Sequence, residues 1–292
     1  MKSSSERSRH WVWAPALGAV FAALAASITL SSRCSGAPAA LPDKPAAAAI
    51  LEQFRQMVWA EPIYAEFDLR QMPRRGDETV FRGRFWGTRN AQGPVTRLEL
   101  DIGKGGFSHR FLVQGGFDGS LWTSDGPGAG VANEAALLSP LAPGVEMTPL
   151  DVLPMQYLYW LDANLVGITR IRGRPSYAFD FTPSADFLAG NPGIRSVRAY
   201  LDTQYDALVQ SETSGRDGHI FKTLSLLELK KVGDRWIPKD MDVRNEVTRN
   251  KTRLTLTAVA IGNPQDPRAF DPAELGSPLS PPPPKSVIRL NQ

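Results

Sequence analysis

Side chains that could act as nucleophiles or metal ligands are few in this chain and widely separated. Its single cysteine is Cys34, and its three histidines are His10, His109 and His219. A zinc site needs about four suitable ligands brought together, and a nucleophile needs a base beside it. His109 falls in a strand-like run and His219 borders a glycine-rich turn, so both have ordinary structural explanations. We expect no catalytic residue, metal or cofactor.

Glycine-rich and acidic segments lead to the same expectation. The stretches 103–106 and 126–130 lack the spacing of a phosphate-binding loop, and no Gly-x-Ser-x-Gly nucleophile elbow is present. Asp180, Asp202 and Asp240 fall at strand positions that face solvent or end a strand. The sequence therefore predicts a protein that is not an enzyme.

The first 39 residues have the layout of an export signal. Lys2, Arg7 and Arg9 precede an uncharged apolar run over residues 11–30, and small residues follow over 35–40. This order is typical of a cleaved secretory signal. A run of about 20 apolar residues would also reach across a bilayer. We expect a signal peptide or an N-terminal membrane segment.

Cys34 offers a third alternative, lipidation of the mature N-terminus, but Arg33 stands where a lipoprotein signal carries a small residue. Cleavage beyond Cys34 would leave no cysteine, which excludes disulfides and thiolate metal sites. We expect a periplasmic protein of the cell envelope after export. A form tethered to the membrane through residues 11–30 or Cys34 is the alternative.

The part of the chain after residue 39 is electrically neutral. Residues 1–39 hold four Lys or Arg and one acidic residue, so the 33 Lys+Arg and 30 Asp+Glu of the chain become 29 and 29. A clustered basic face, which nucleic-acid binding needs, is not indicated. We expect one domain over residues 40–262 and a proline-rich C-terminal tail, extended and partly disordered, over 263–292.

Hydrophobic periodicity predicts a mainly β fold with few helices. Residues 46–60 space apolar side chains at helical intervals. Eleven later segments alternate or are rich in strand-forming residues, and short turns separate most of them, which favours one antiparallel sheet. The predicted strands are 63–70, 80–87, 95–102, 107–113, 120–123, 177–181, 197–202, 208–213, 220–232, 235–243 and 253–261.

The predicted sheet has more apolar surface than its few helices would cover. A large sheet must cover its apolar face or curl around something. A curved sheet with a partly open apolar concavity would hold a ligand of lipid size, whereas an ordinary core would explain each residue singly. The expected lining residues are Phe67, Phe81, Phe85, Leu98, Leu100, Phe111, Tyr177, Phe179, Phe181 and Leu201.

Residues 148–160 break the strand pattern. Thr148, Pro149 and Asp151 form a helix-start signature, and Pro154 would interrupt the helix within about two turns. We therefore expect a helical loop that lies over the sheet as a lid. The candidate lid residues are Leu150, Leu153, Met155, Tyr157 and Leu158.

The same stretch, Thr-Pro-Leu-Asp-Val-Leu-Pro-Met-Gln-Tyr-Leu-Tyr-Trp, resembles the lid region of the outer-membrane lipoprotein-sorting family, which is similar to the periplasmic carrier LolA. Residues 173–183, 199–202 and 232–241 follow in that family's order. The resemblance covers roughly residues 46–272. It implies a half-barrel of antiparallel strands, with helices over its concave face, that takes up acyl chains of lipoproteins.

Two functions remain open from the sequence. The first is binding of lipid or lipoprotein acyl chains in lipoprotein sorting, with a membrane donor or acceptor protein as a further partner. The alternative is a structural or regulatory envelope module that binds a protein partner through an edge strand or the tail.

Overall fold

The structure is a computed structural model that describes residues 41–103, 106–126, 130–131, 134–152, 154–205, 207–263 and 265–290. Residues 41–292 form one compact unit. The predictions for the export signal and Cys34 fall outside the described residues. Within the described part, no helix is both long and apolar enough to cross a bilayer.

One antiparallel sheet of fourteen strands is the main element of residues 41–292. Its strands are β1 (Ile63–Met72), β2 (Thr79–Asn90), β3 (Gly93–Asp101), β4 (Phe107–Gln114), β5 (Ser120–Ser124), β6 (Gly130–Val131), β7 (Asp162–Ile171), β8 (Arg174–Thr182), β9 (Ser196–Asp202), β10 (Leu208–Ser214), β11 (Ile220–Val232), β12 (Arg235–Asn245), β13 (Lys251–Ile261) and β14 (Ile288–Arg289). The mainly β, curved antiparallel fold that the sequence predicts is confirmed.

Two meanders meet at the centre of this sheet. The strand order is β6-β5-β4-β3-β2-β1-β13-β12-β11-β10-β9-β8-β7, and β14 pairs with β13 outside this path. The central seam joins β1 to β13, with Ile63 opposite Ile261 and Met72 opposite Lys251. The sheet is open, because β6 and β7 lie at opposite ends of the order.

The chain between these two edges has to travel from one end of the sheet to the other. We call residues 134–161 the crossing segment. It contains the 3₁₀ helices Glu134–Leu138 and Gln156–Tyr159, and turns or irregular backbone elsewhere in its described part. Its buried apolar side chains belong to the cluster that covers the inner face of the sheet. This face is the concave side.

Two α-helices accompany the sheet in the described residues. Helix α1 spans Lys44–Met57; its N-cap Asp43 accepts a hydrogen bond from the Ala46 amide at 2.9 Å. The predicted helix over 46–60 is thus confirmed, with bounds shifted towards the N-terminus. Helix α2, Ala185–Gly190, is short and capped by Ser184. Ala47, Leu51 and Phe54 of α1 face the concave cluster.

All eleven predicted strands are present, whereas β6, β7 and β14 were not predicted. The helix expected at Thr148 is wrong. The Asp151 carboxylate accepts hydrogen bonds from the Thr148 amide at 2.8 Å and the Thr148 hydroxyl at 2.7 Å, which closes a turn. The next helical turn begins only at Gln156.

The C-terminal tail differs from the expectation of partial disorder. Its described residues form the 3₁₀ helices Pro267–Phe270, Pro272–Glu274 and Pro284–Ser286, followed by β14. Leu275, which is fully buried, packs with Val95 and Leu112 on the outer, convex face.

Buried arginines on β3 and β4 hold this tail through its backbone. The side chains of Arg97 and Glu99 are fully buried, with a nitrogen–oxygen distance of 2.7 Å. Arg97 donates to the carbonyl of Ser277 at 2.5 Å, and Arg110 donates to that of Gly276 at 2.7 Å. These bonds satisfy carbonyl groups that a proline-rich segment cannot pair within itself.

Candidate functional site

The structure brings the predicted lining residues together on the concave side. Seven of them are buried members of one apolar cluster, and Phe81, Phe85 and Tyr177 are half-buried and pack against it. Phe179 and Phe181 stack with ring centroids 6.3 Å apart, and Tyr157 of the crossing segment lies 5.7 Å from Phe181. Their role in lining a lipid site stays a prediction.

The crossing segment fills the concavity over these residues. Leu150, Met155, Tyr157 and Leu158 are all at most 3% exposed. Leu153 lies outside the described residues. Because four of the candidate lid residues pack against the lining residues, the predicted lid and the predicted cavity wall form one continuous apolar core. A ligand could reach that wall only if the crossing segment moved.

A buried ion pair ties the crossing segment to the sheet. Lys222, on β11, lies 2.8 Å from the Asp151 carboxylate and donates to the Thr148 hydroxyl at 3.2 Å. Both charged side chains are less than a tenth exposed. Their mutual attraction and the Thr148 hydrogen bonds offset the cost of removing both charges from water. The sequence gives no sign that Lys222 would face Asp151.

An open cavity lies where the two edges of the sheet approach each other. Its volume is about 690 Å³, within the range of small-molecule sites. One wall comes from β4, β5 and their connection, and the other from the ends of β7 and β8 with α2. The lining residues are Val113, Phe117, Gly119, Ser120, Leu121, Leu137, Gln156, Tyr159, Trp160, Leu161, Asp162, Thr182, Pro183, Ser184 and Phe187.

Two exposed apolar side chains border this edge cavity. Leu161 is 89% exposed and Phe117 is 59% exposed. The Phe117 ring meets Tyr159 edge to face at 5.9 Å, and the Arg55 guanidinium of α1 lies 5.2 Å from the Phe117 ring centroid and 5.5 Å from that of Tyr159. The cavity thus has an apolar border with one cation behind its aromatic rings.

Two polar groups in the cavity wall are buried and incompletely paired in the described structure: the Tyr159 hydroxyl, which lies within reach of the Arg89 guanidinium group but has no acceptor for its hydrogen, and Gln156 Oε1. Burial raises the pKa of Tyr159, and the nearby Arg89 and Arg55 guanidinium groups act in the opposite direction. The phenol is therefore protonated at neutral pH and can donate a hydrogen bond. Unpaired buried groups of this kind need an explanation, and a bound polar group would supply one.

None of the ten predicted lining residues or the four described candidate lid residues lines the edge cavity. Leu161 and Phe117 lie in connections between strands, and the Tyr159 and Trp160 side chains enter the cavity from the crossing segment. Two half-barrel edges meet only through sheet curvature, which one sequence does not reveal. The only sequence feature that pointed to this cavity was the aromatic-rich run from Tyr157 to Trp160, two residues of which line it.

The polar residues considered for catalysis have structural partners. His109 contacts the Asp125 carboxylate and meets the Phe111 ring edge to face at 4.7 Å. Asp180 forms an ion pair with Arg198, and Asp240 accepts from the Thr255 hydroxyl, each at 2.5 Å. In the described ranges, no three His, Cys, Asp or Glu side chains are grouped to hold a metal ion.

Comparisons with known proteins agree with this architecture. A family model described as an uncharacterized protein matches residues 153–277. No curated protein sequence matches the chain. Among solved structures, a domain assigned to outer membrane lipoprotein sorting from Vibrio parahaemolyticus shares 14% identity at a TM-score of 0.64, with 78% of this chain and 96% of that chain covered.

Two further solved structures are similar over most of their length. A DUF1329 family protein from Desulfovibrio piger shares 13% identity at a TM-score of 0.65, covering 79% of this chain and 98% of that one. A LolA superfamily protein from Nitrosomonas europaea shares 11% identity at a TM-score of 0.59, covering 77% and 97%. The chain therefore has the LolA-like fold that its sequence resemblance predicts.

Proposed function

We propose that this protein binds an acyl chain of a lipid or lipoprotein in the apolar concavity of its sheet, and that the chain enters through the edge cavity. The proposal rests on the observation that the apolar lining of the edge cavity is continuous with the apolar cluster of the concave side. Leu137, Trp160 and Phe187 line the open cavity and also belong to the apolar cluster of the concave side. An apolar ligand in the cavity would therefore extend the core without crossing a polar layer.

The crossing segment is the element that would make room for a longer chain. Its contacts with the sheet are mainly apolar and non-directional. The polar ones include the ion pair between Lys222 and Asp151 and two hydrogen bonds of Glu146, whose amide donates to the Thr252 hydroxyl at 2.7 Å and whose carboxylate accepts from Asn245 at 2.9 Å. If this segment lifts, the ten predicted lining residues become a binding wall. In this proposal Leu150, Met155, Tyr157 and Leu158 act as the lid, and their packing against the sheet is the closed state.

The proposed setting is the cell envelope, where the protein would act in lipoprotein sorting and exchange cargo with a membrane donor or acceptor protein. This setting is supported by the export-like N-terminal sequence and by the lipoprotein-sorting domain among the structures with the same fold. The proposal involves no catalytic step, because it asks of the side chains only that they bind.

Replacement of the two exposed border residues tests the proposal. The double variant Leu161→Glu and Phe117→Glu places carboxylates where an acyl chain would enter. Leu161 is 89% exposed, so Leu161→Glu should change the free energy of unfolding by about 0.5 kcal/mol or less. Phe117→Glu also removes ring contacts with Tyr159 and Arg55, so it should cost about 1–2 kcal/mol. We expect mass spectrometry of organic extracts to show lipid with the unaltered protein, and about tenfold weaker binding of a fluorescent fatty acid by the variant.

A matched control is the double variant Val247→Glu and Trp236→Glu. These side chains are 76% and 62% exposed and do not line the cavity. The control should bind the fluorescent fatty acid as the unaltered protein does. An unaltered protein that purifies without lipid and ignores fluorescent fatty acids would contradict the proposal, as would equal loss of binding in both double variants.

One feature favours the alternative, a module that binds a protein partner. Strand β7 is ten residues long and ends the strand order, so one of its edges has no neighbouring strand in the described structure. Such an edge can accept an added strand. Ile168→Pro, at a position whose amide faces away from β8, would weaken partner capture from envelope extract and leave fatty-acid binding intact, whereas the border variant would do the reverse.

A further inference from the structure

The border of the edge cavity carries more positive charge than its neighbours neutralise. Arg55 is 11% exposed, and its nearest carboxylate oxygen, on the half-exposed side chain of Glu52, is 3.6 Å away. The Arg55 Nε–H group donates to the carbonyl of Leu158 at 2.7 Å. One weak, solvent-screened ion pair does not satisfy a largely buried guanidinium group.

A second guanidinium group lies at the same place. Arg89 donates from Nη1 to the carbonyls of Arg55 and Val58, each at 3.0 Å, and the described structure gives it no carboxylate partner. Both guanidinium groups act to lower the pKa of the Tyr159 phenol, against the effect of its burial. Two guanidinium groups and one exposed carboxylate thus flank a hydroxyl that is buried in the cavity wall and whose hydrogen has no acceptor in the described structure.

We propose that the edge cavity selects an amphiphile with an anionic head, a carboxylate or a phosphate, which accepts a hydrogen bond from Tyr159 and is neutralised by Arg55. The apolar chain then runs past Trp160 and Phe187 towards the concave cluster. This inference rests on the proposed acyl-chain function and specifies its ligand. Bonds from a phenol and a guanidinium group to an anion are charge-assisted and about twice as strong as neutral ones.

The remaining polar lining residues determine which end of the cavity would hold the anionic head of the ligand. Asp162 lies on the β7 side of the cavity, where its carboxylate accepts from the Asn164 amide at 2.6 Å, and it would repel an anion. Gln156 donates one Nε2 hydrogen to the carbonyl of Gly116 at 2.9 Å, and its unpaired Oε1 would repel an anion. The head therefore belongs beside Tyr159, next to the exposed ring of Phe117, whose rotation would open a path to Arg55.

Arg55 also has a purely structural explanation, since it ties α1 to the crossing segment. A comparison of head groups on one chain length separates the two explanations. Dodecanoate, dodecyl phosphate and dodecanol share an alkyl chain and differ in charge, and binding to the full chain is measured by calorimetry or by quenching of tryptophan fluorescence. We expect both anions to bind about tenfold more tightly than dodecanol. The better of the two anions distinguishes a free fatty acid from a phospholipid-like head.

The variants Arg55→Gln and Tyr159→Phe should each reduce the preference for the anions and leave dodecanol binding within about twofold. Tyr159→Phe removes only one hydroxyl, whose hydrogen has no acceptor in the described structure, so it should fold normally even if Arg55→Gln does not. Arg249→Gln, at a half-exposed side chain outside the cavity lining, is the control and should keep the full preference.

Equal affinity of the unaltered protein for all three ligands, or an anion preference that survives in both Arg55→Gln and Tyr159→Phe, would overturn the head-group inference while acyl-chain binding stands. Failure of all three ligands to bind would overturn both proposals. Selective loss of anion binding in the two variants supports the inference.

Discussion

At the scale of single residues, Asp202 shows how a polar side chain at a strand end becomes part of the structure. The sequence places it where a strand ends or faces solvent, and it does end β9. Its side chain is only 3% exposed and pairs with Arg174 at 2.5 Å. It also accepts from the amides of Gln204 and Tyr205 at 2.8 and 3.0 Å, which fixes the following turn.

Because of these bonds, we expect the contribution of Asp202 to the free energy of unfolding to depend on pH. Burial alone would raise the pKa of Asp202, but Arg174 and the two turn amides outweigh it and lower the pKa below its ordinary value. A lowered folded-state pKa adds stability that is present above about pH 4, where the unfolded Asp ionises, and is lost as the pH falls through the folded-state value. Asp202→Asn should therefore cost about 1–3 kcal/mol at pH 7.

Urea unfolding between pH 7 and pH 2.5 measures this effect. The curves of the unaltered protein and of Asp202→Asn should converge as the pH falls below about 4. Asp118→Asn, at an exposed position, should change the free energy of unfolding by about 0.5 kcal/mol or less throughout. A constant gap between the Asp202→Asn and unaltered curves would show that the charge of Asp202 does not contribute.

At the scale of elements, the crossing segment combines what the sequence could and could not predict. Its apolar residues predicted that it lies over the sheet, and they are buried there. Its conformation was mispredicted, because Asp151 bonds back to Thr148 and to Lys222, a residue of β11. Strand β7 was missed for a related reason. It contains no buried residue, so the contrast between its two faces is too weak to identify a strand.

The ion pair between Lys222 and Asp151 should fix the position of the crossing segment. Lys222→Met leaves the Asp151 carboxylate buried without its cation, so we expect a loss of about 3–5 kcal/mol in the free energy of unfolding. The double variant Lys222→Met and Asp151→Asn should recover much of that loss, because it leaves no isolated charge and keeps an acceptor oxygen for the Thr148 amide.

Chemical denaturation of the two single variants and the double variant gives the coupling energy. Lys239 and Glu228 form a pair at 3.2 Å that is more exposed, at 19% and 47% of the two side chains, and Lys239→Met should cost less than about 1 kcal/mol. If Lys222→Met cost no more than Lys239→Met, the buried pair would not be what holds the crossing segment. Faster hydrogen exchange over residues 148–160 in Lys222→Met would identify the element that is released.

At the scale of the whole molecule, the tail is an integral layer of the fold. Its proline content predicted an extended chain, whereas its order depends on Arg97 and Arg110, which no local pattern relates to residues 274–279. Leu275, a residue of the tail, is fully buried against Val95 of β3 and Leu112 of β4. Leu275→Ala should cost about 2–5 kcal/mol in global unfolding.

The same tail provides the control for this prediction. Ile288 is 51% exposed, so Ile288→Ala should change the midpoint of thermal unfolding far less. Both variants are compared by calorimetry. A single cooperative transition that shifts only for Leu275→Ala is expected, and a separate early transition for the tail would contradict its place in the folded unit.

The sheet itself was predictable because its strands alternate in polarity and most of them are joined by short turns, so each hairpin is specified locally. The edge cavity was not predictable, because it depends on how far fourteen strands curve before their two ends meet. Sequence alternation assigns Phe179 or Leu98 to a face of the sheet, but it does not show which residues of that face the crossing segment covers.

The central seam between β1 and β13 has a consequence for how the molecule folds. It pairs residue 63 with residue 261, while the strands within each meander pair with their neighbours in the chain. Contacts between residues so far apart form slowly, since a long loop must close before they stabilise anything. A chain that is synthesised from its N-terminus can form each hairpin in turn, but its two halves can join only after almost the entire protein has been made.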